Sequence, residues 1–304
     1  MKNLIDILDL SLNEIFELIE TAIKIKNDPS KYFEKCKNKK MATLFFEPST
    51  RTRLSFEAAM YELGGNVIGF SEAQNSSVSK GESVADTAKV VSCYSDIIVM
   101  RHPKEGAPLV ASMNASVPII NAGDGGHNHP TQTLTDLLTI YTEKKRLDNF
   151  TIGFCGDLKF GRTVHSLIST LCRHKNIKMI LISPENLTLP RYVITNYINK
   201  NNVEYVEKTS LDDVISELDI LYMTRMQKER FTKSEDFKSL SNAYVLTLEK
   251  LKDAKEDLCI MHPLPRVDEI EIAVDNDPRS CYFKQVLNGK YIRMALILKL
   301  LGIE

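Results

Sequence analysis

Short apolar runs alternate with helical stretches along almost the whole of this 304-residue chain. The runs are rich in β-branched or aromatic residues and are closed by Gly, Pro, Asn or Ser, which is typical of strands. Strands that alternate with helices predict parallel sheets covered by helices on both faces, an α/β fold. The predicted strands are Met41–Phe46, Asp96–Met100, Val117–Asn121, Phe150–Cys155, Lys178–Ser183, Asp219–Thr224, Tyr244–Leu246 and Cys259–Met261.

One long helical pattern near the middle of the chain predicts a division into two domains. A chain of this length is sufficient for about two domains. The pattern Pro130–Lys145 is followed by the turn signal Asp148-Asn149, which places one domain over 1–146 and the other over 147–285. Each is predicted to be a mostly parallel sheet flanked by helices, with about four strands. The other predicted helices are Leu10–Asn27, Thr50–Leu63, Ser83–Tyr94, Arg162–His174 and Arg191–Asn199.

The last segment, Tyr291–Leu301, is apolar on almost every side. That pattern indicates a buried helix, over about 286–304, which we expect to cross back to the first domain. The longest apolar stretch of the chain lies within it, around Met294–Leu298, and stops at Lys299. Because a bilayer needs roughly 20 apolar residues, no membrane span is expected.

Composition excludes several classes of protein. Lys and Arg number 39 against 40 Asp and Glu, a formal charge of -1, which argues against a general nucleic-acid binder. The six cysteines are far apart and form no C-x-x-C pair, as expected for reduced thiols rather than a disulfide framework or zinc site. The first residues have no signal-peptide pattern. We therefore expect a cytoplasmic protein.

Polar loops follow the predicted strands, where ligands bind in α/β sheets. In the first, Ser49-Thr50-Arg51-Thr52-Arg53 stands between a strand and a helix. Free N–H groups at a helix start, surrounded by hydroxyls and two arginines, favour a phosphate site. The alternative is a capped surface helix with solvated arginines, but the density of hydroxyls and arginines favours phosphate.

Two further loops of the first half carry single cations. Ser76–Ser83 is polar and contains Lys80, which would add a positive charge to an anionic site, although taken alone the segment is an ordinary loop. Arg101 follows a strand directly and so points at the carboxyl edge of the sheet. An edge arginine paired with a surface acid is the equal alternative.

A glycine-rich turn before the long central helix brings His129 and Gln132 to the start of that helix, which Pro130 opens. His127 and His129 suggest a metal site, but they have no acidic or His partner at a recognisable ligand spacing. We therefore predict no metal ion and no cofactor. A hydrogen bond from His129 to a substrate oxygen is the preferred interpretation.

The loop Gly156–Thr163 nearly matches the nucleotide-binding motif G-x-x-x-x-G-K-[ST], with Arg162 in place of the lysine. Lysine acts there as a compact point charge, whereas arginine presents a planar fork. No strand ends in the acidic pair that would hold magnesium, and Asp219 precedes its strand. An NTPase is therefore rejected, and Arg162 suits a carboxylate.

Two late loops complete the set. Arg225 and Gln227 alternate, so in an extended segment both face the same side and suit a dicarboxylate. In His262-Pro263-Leu264-Pro265-Arg266 the prolines prevent a helix. The carbonyls of Leu264 and Pro265 can therefore accept hydrogen bonds from an amino or carbamoyl group.

Together, the motifs S-T-R-T-R at 49–53, H-P-x-Q at 129–132 and H-P-L-P at 262–265 resemble those of the aspartate carbamoyltransferase family (catalytic chain), in the carbamoyltransferase superfamily. The resemblance covers essentially the whole chain. Ornithine carbamoyltransferases carry Cys where this chain has Pro263. The R-x-Q of 225–227 and the loop of Lys80 point to aspartate as the carbamoyl acceptor.

The resemblance implies a homotrimer, a carbamoyl-phosphate domain (1–146) and an aspartate domain (147–285), with active sites at the subunit interface. Ser49, Thr50, Arg51 and Thr52 would hold the phosphate, and Arg101, His129 and Gln132 the carbamoyl group. Leu264 and Pro265 would accept from its NH2. Arg162, Arg225, Gln227 and Lys80 would bind aspartate, with Ser77 and Lys80 donated by the neighbouring subunit. The residues expected to be catalytic are Arg51, Thr52, Lys80, Arg101 and His129.

Three rival functions can be tested by experiment: the NTPase rejected above, a non-enzymatic binding or regulatory relative, and an ornithine carbamoyltransferase. A degenerate relative would be expected to lose site residues, whereas every motif position is filled here. A separate regulatory chain that joins trimers into a larger assembly is left open by the sequence. The substrates implied are two anions, carbamoyl phosphate and L-aspartate.

Overall fold

The computed structural model describes residues 2–72, 80–225 and 244–304. The chain forms two compact units. The first comprises Met1–Leu138 and Val286–Glu304, and the second comprises Thr139–Gln285. The units divide at Leu138, within a helix and upstream of the junction predicted at 146–147. Within the described residues, none of the helices combines the length and the apolar character needed to cross a membrane.

The first unit is built on a four-stranded parallel sheet in the order β2-β1-β3-β4. The two central strands are almost completely buried, since helices cover both faces. The strands are β1 (Lys40–Phe45), β2 (Asn66–Phe70), β3 (Ile97–His102) and β4 (Ile119–Asp124). The helices are α1 (Leu12–Asn27), α2 (Thr50–Glu62), α3 (Val84–Ser92), α4 (Ala107–Asn114) and α5 (Pro130–Lys144), which continues into the second unit.

The second unit is built on a five-stranded parallel sheet in the order β7-β6-β5-β8-β9. Its strands are β5 (Phe150–Cys155), β6 (Ile177–Ile182), β7 (Glu204–Lys208), β8 (Ile220–Met223) and β9 (Cys259–Met261). Its helices are α6 (Arg162–Leu171) and α7 (Arg191–Val193), which continues as a π-helical segment to Ile198 and a 3-10 turn to Asn201. The prediction of two parallel-sheet domains flanked by helices is confirmed.

The last helix, α8 (Tyr282–Leu300), returns the chain to the first unit. It begins about four residues before the predicted start near residue 286, since its first turn is mixed in polarity and carries no apolar pattern. Residues 292–298 are buried, as the apolar pattern predicts, and Lys299 forms an ion pair of 2.6 Å with Glu17 of α1. The prediction that this helix crosses back to the first domain is confirmed.

The sequence misjudged the edges of both sheets. It missed β2 and β7, whose residues are largely exposed and therefore carry no continuous apolar run. The predicted strand Tyr244–Leu246 was wrong, since only Leu246 forms a single bridge, to Ile270. It also missed α4, which begins after Gly106 in the left-handed conformation and contains a proline in its first turn.

Candidate active site

The junction between β1 and α2 presents backbone donors at the carboxyl edge of the first sheet. Ser49 occupies the position before the helix, and its carbonyl accepts the first helical bond from the N–H of Arg53 at 3.2 Å. The N–H groups of Thr50, Arg51 and Thr52 precede that bond and lack an intrahelical acceptor. Such groups attract anions, and the positive end of the helix dipole adds to the attraction.

The two arginines of this junction have different environments. Arg53 forms an ion pair with Glu57 one turn later, with Nε 2.7 Å from Oε1, and the same oxygen accepts a 3.3 Å hydrogen bond from Thr43. The side chain of Arg51 is exposed at the helix start. Both cations were predicted to serve a phosphate site, whereas the structure pairs Arg53 with Glu57 and leaves Arg51 exposed.

Arg101 ends up next to this junction because β1 and β3 are neighbouring parallel strands. Its Nη2 lies 2.7 Å from Oε1 of Glu47, and its Nη1 donates to the carbonyl of Ala122 at 3.3 Å. Arg101 therefore lies at the carboxyl edge of the sheet and is also paired with an acid, so the two alternatives that the sequence left open are both met. That acid belongs to the loop of Ser49, so the ion pair fixes the guanidinium at the carboxyl edge beside the start of α2.

His129 and Gln132 are held at the start of α5. His129 is buried, and its carbonyl accepts from the N–H groups of Gln132 at 3.0 Å and Thr133 at 3.3 Å. The side-chain amide of Gln132 donates to Oδ1 of Asp136 at 2.8 Å. Asp136 is fully buried, so it fixes the orientation of the Gln132 amide, with the amide nitrogen toward Asp136. Sequence reasoning missed Asp136, although its i, i+4 spacing from Gln132 was a usable signal.

Gly123, at the end of β4, lets Arg101 and His129 approach one another. Its φ of +115° lies where L side chains are rare, and a Cβ added there would stand 3.0 Å from Nη1 of Arg101 and 3.4 Å from Cδ2 of His129. The glycine-rich turn was predicted to bring His129 and Gln132 to the start of the helix. Its observed role at Gly123 is to admit two side chains of the site.

Replacing Gly123 by alanine should therefore lower kcat by about tenfold or more, because the methyl group displaces Arg101 and His129 and small misplacements of catalytic groups are costly. The control is Gly106→Ala, where φ is +75° but nothing lies within 4 Å of the added carbon. Both variants should lose about 1–3 kcal/mol of stability through backbone strain. Steady-state turnover and denaturant unfolding measure the two effects, and equal kcat values for the two variants would contradict the prediction.

In the second unit, the loop after β5 is closed by its own side chains. Oδ1 of Asp157 accepts from the N–H groups of Lys159 at 3.1 Å and Phe160 at 3.0 Å, and Nε2 of His165 lies 2.8 Å from the carbonyl of Leu158. This tight turn delivers Arg162, half-buried, at the first position of α6.

The loop after β8 lies directly against the loop after β5. Thr224 donates to the carbonyl of Cys155 through its N–H at 2.8 Å and through its hydroxyl at 3.1 Å. Gly156 has a φ of +120°, and a Cβ there would stand only 2.4 Å from the carbonyl oxygen of Thr224. This contact brings the backbone of Arg225, which is half-buried, close to the start of the Arg162 loop.

The loop after β9 carries Leu264 and Pro265, joined by a cis peptide bond. Leu264 has a φ of +52°, a left-handed conformation that is rare for this residue type. Its N–H donates to Nδ1 of His262 at 2.8 Å. Because β5, β8 and β9 are neighbours in the sheet, the loops of Arg162, Arg225 and Leu264 share one edge of the second unit.

The structure thus places most of the predicted site residues at the carboxyl edges of the two sheets. Lys80 is described and exposed, whereas Ser77 and Gln227 lie outside the described residues. Glu47, Gly123 and Asp136 were missed as site residues. This arrangement defines a class: an α/β protein with one edge suited to a phosphate and a carbonyl, and another with two arginines for carboxylates.

Family models place the chain within that class. Residues 2–142 match the carbamoyl-P binding domain of aspartate/ornithine carbamoyltransferases, and residues 148–300 match their Asp/Orn binding domain. The chain therefore belongs to the aspartate/ornithine carbamoyltransferase family.

Its relatives are similar over their full length. The aspartate carbamoyltransferase catalytic subunit of Lachnoclostridium phytofermentans is 61% identical over 303 residues, covering 100% of this chain and 99% of that one. The catalytic subunit of Clostridium acetobutylicum is 59% identical, covering 99% and 98%. Among solved structures, the catalytic subunit of M. jannaschii aspartate transcarbamoylase matches with a TM-score of 0.95, 47% identity and coverage of 99% and 98%. The Trypanosoma cruzi enzyme in complex with N-(phosphonacetyl)-L-aspartic acid has a TM-score of 0.91, with 39% identity and coverage of 97% and 94%.

Proposed function

We propose that this chain transfers the carbamoyl group of carbamoyl phosphate to the α-amine of L-aspartate, giving N-carbamoyl-L-aspartate and phosphate. The reaction is an early step of de novo pyrimidine (UMP) synthesis. The observation that carries the proposal is the convergence of the Ser49–Thr52 helix start, Arg101 and His129 on one sheet edge, since a phosphate and an adjacent carbonyl need those donors. Relatives named as aspartate carbamoyltransferases support the choice of reaction.

Carbamoyl phosphate is assigned to the first unit, the predicted domain of residues 1–146 with the helix of about 286–304. The N–H groups and hydroxyls of Ser49, Thr50 and Thr52, with the guanidinium of Arg51, hold the phosphate. Arg101 and His129 donate to the carbonyl oxygen, and Gln132, oriented by Asp136 at 2.8 Å, contacts the amide. The carbonyls of Leu264 and Pro265 accept from the carbamoyl NH2.

L-Aspartate is assigned to the second unit, the predicted domain of residues 147–285. Arg162 and Arg225 supply the planar forks that match carboxylates, and two forks suit a dicarboxylate. Gln227 and Lys80 complete the proposed aspartate contacts. An ornithine side chain would instead bring an ammonium group toward these arginines, which charge repulsion disfavours.

The proposed mechanism needs no protein nucleophile, because a deprotonated α-amine attacks the carbamoyl carbon directly. The N–C bond forms as the carbonyl becomes an oxyanion, which Thr52, Arg101 and His129 stabilise by donating hydrogen bonds. The C–O bond to phosphate then breaks, and Arg51 and Lys80 stabilise the departing phosphate, which takes up the amine proton and leaves as the dianion HPO4²⁻. Positioning of the two substrates supplies a further part of the rate, up to about 7–11 kcal/mol in favourable cases.

The acceptor is tested by measuring phosphate release from carbamoyl phosphate with L-aspartate and, separately, with L-ornithine. We expect release that depends on L-aspartate and is at background with L-ornithine. Faster turnover with ornithine would make the chain an ornithine enzyme. Magnesium-dependent release from ATP or GTP would instead support an NTPase, and a phosphonate–dicarboxylate bisubstrate analogue should inhibit only the aspartate reaction.

We also propose that the chain works as a homotrimer in the cytoplasm, with Ser77 and Lys80 reaching the site of the neighbouring subunit. The relatives named above are called catalytic subunits, which supports an oligomer and leaves room for a separate regulatory chain. All six cysteines carry free thiols, which is consistent with a reducing compartment.

A further inference from the structure

The loop after β9 is tied to one buried pair of side chains, His262 and Glu269. Nε2 of His262 lies 2.7 Å from Oε1 of Glu269, and both side chains are at most a tenth exposed. Nδ1 of His262 lies 2.8 Å from the backbone nitrogen of Leu264. Because a backbone N–H can only donate, Nδ1 must accept, so the proton of the neutral ring is on Nε2 and is donated to Glu269.

Glu269 ties the other side of the same loop. Its Oε2 accepts from the N–H groups of Val267 at 3.0 Å and Asp268 at 3.1 Å. Burial alone would raise the pKa of Glu269, but the hydrogen bonds from His262 and from the backbone outweigh it and hold the pKa below its usual value. The residue is thus a carboxylate that accepts from three donors and fixes the loop on both sides of Pro265.

Arg266, which lies in sequence between Leu264 and Val267, makes a second set of bonds that hold the loop. Arg266 forms a bidentate ion pair with Asp275, with Nη2 2.6 Å from Oδ2, and donates to the hydroxyl of Tyr282 at 3.2 Å. Leu264, with its φ of +52°, is held against its conformational preference by these surrounding bonds. These hydrogen bonds and this ion pair hold the loop in place, and none of them uses the carbonyl of Leu264 or Pro265.

We propose that His262 and Glu269 are positioning residues that determine recognition of the carbamoyl NH2 by the carbonyls of Leu264 and Pro265. Neither side chain touches the substrate, since both nitrogens of His262 and both oxygens of Glu269 are used within the loop. Fixed carbonyls accept hydrogen bonds from an amino group and reject a methyl group in the same place. The pair thus selects carbamoyl over acetyl phosphate. This inference rests on the proposed function.

Two phosphonates that differ only at that group provide the test. Phosphonoacetamide carries the NH2, and acetonylphosphonate carries a methyl group in its place. Their affinities for wild type, Glu269→Gln, His262→Ala and His262→Asn are measured by calorimetry. Glutamine has one acceptor and one donor where the loop requires two acceptors. Asparagine retains an acceptor near the position of Nδ1, so it should restore part of what alanine loses.

We expect wild type to prefer phosphonoacetamide, and Glu269→Gln and His262→Ala to lower that preference about tenfold, the fold-change of one weakened hydrogen bond. Binding of acetonylphosphonate should stay within about twofold of wild type. The matched control is His174→Asn, a half-buried histidine before the amino end of β6, and it should leave the preference unchanged.

A parallel loss of affinity for both phosphonates, or an unchanged preference in the folded variants, would overturn the proposal. So would a wild-type enzyme with aspartate-dependent turnover and no preference for the amide. Failure of the proposed function gives a different result, namely wild type without aspartate-dependent phosphate release. If His262→Ala does not fold, Glu269→Gln and His262→Asn decide the outcome.

Discussion

Replacing Arg51 by alanine is expected to lower kcat by about 10²–10³-fold, the usual effect of removing one donor that stabilises charge in the transition state. Arg51 is the exposed guanidinium at the start of α2, where the proposed function places the departing phosphate as it gains negative charge. Because the side chain sits at the first turn and packs against little, the free energy of unfolding should change by less than about 0.5 kcal/mol. Steady-state phosphate release with L-aspartate measures the effect.

The neighbouring arginine provides a matched control. Arg53 lies two residues later in the same helix but forms an ion pair of 2.7 Å with Glu57. Arg53→Ala removes the same charge from the same helical turn, and it should cost about 0.3–1 kcal/mol of stability and leave kcat within a few-fold of wild type. If Arg53→Ala reduced kcat as strongly as Arg51→Ala, the helix start would act through its net charge, and the specific role of Arg51 would be wrong.

Replacing Arg293 by methionine is expected to destabilise the protein by about 3–5 kcal/mol, as when one partner of a buried charged network is removed. Arg293 lies in α8 and is 5% exposed; its Nη1 donates to Oγ of Ser55 at 3.0 Å, and its guanidinium lies 5.1 Å from the ring centroid of Phe56. Burial lowers the pKa of Arg293 to about 10, with Asp136 acting in the opposite direction, so the side chain stays charged at neutral pH.

The effect of Arg293→Met should extend to substrate binding. Ser55 and Phe56 belong to α2, whose start is the proposed phosphate site. Asp136 orients the side-chain amide of Gln132. We therefore expect weaker binding of carbamoyl phosphate in addition to a lower free energy of unfolding. Denaturant unfolding measures the free energy of unfolding, and titration with carbamoyl phosphate measures its binding.

Lys290→Met, one turn earlier in α8, is the control for that variant. Lys290 forms a surface ion pair of 2.6 Å with Glu62, and such pairs contribute about 0–1 kcal/mol. A similar loss of stability in both variants would show that Arg293 acts only as part of the helix surface, and would contradict its role as a buried link between α2, α5 and α8.

Much of the fold follows from local patterns. The buried strands β1, β3, β5 and β6 were predicted to within a residue or two because a strand covered on both faces must be continuously apolar. The edge strands β2 and β7 were not predicted, because they are largely exposed and their sequences include charged or polar residues instead of a continuous apolar run. Tyr244–Leu246 had the composition of a strand, but it forms only one bridge.

The chemistry of the loops was also local. The proposed phosphate site with Ser49 and Arg51, and the arginines directly after strands, were each predicted from a few residues. The acid with which each arginine pairs could not be predicted in this way. That Arg53 belongs to Glu57 and Arg101 to Glu47 depends on which rotamers the helix and the neighbouring strand allow, and the sequence contains several acids that could have served.

What the sequence determined by itself was the alternation of strands and helices and the two parallel sheets, because each depends on residues close together in the chain. The tertiary structure decided which polar groups of the loops are paired internally and which are exposed. Arg293 meets Ser55 across 238 residues, and Gly123 matters only because Arg101 and His129 converge on it. Such contacts depend on how the helices pack on the sheet, and no local pattern records that packing.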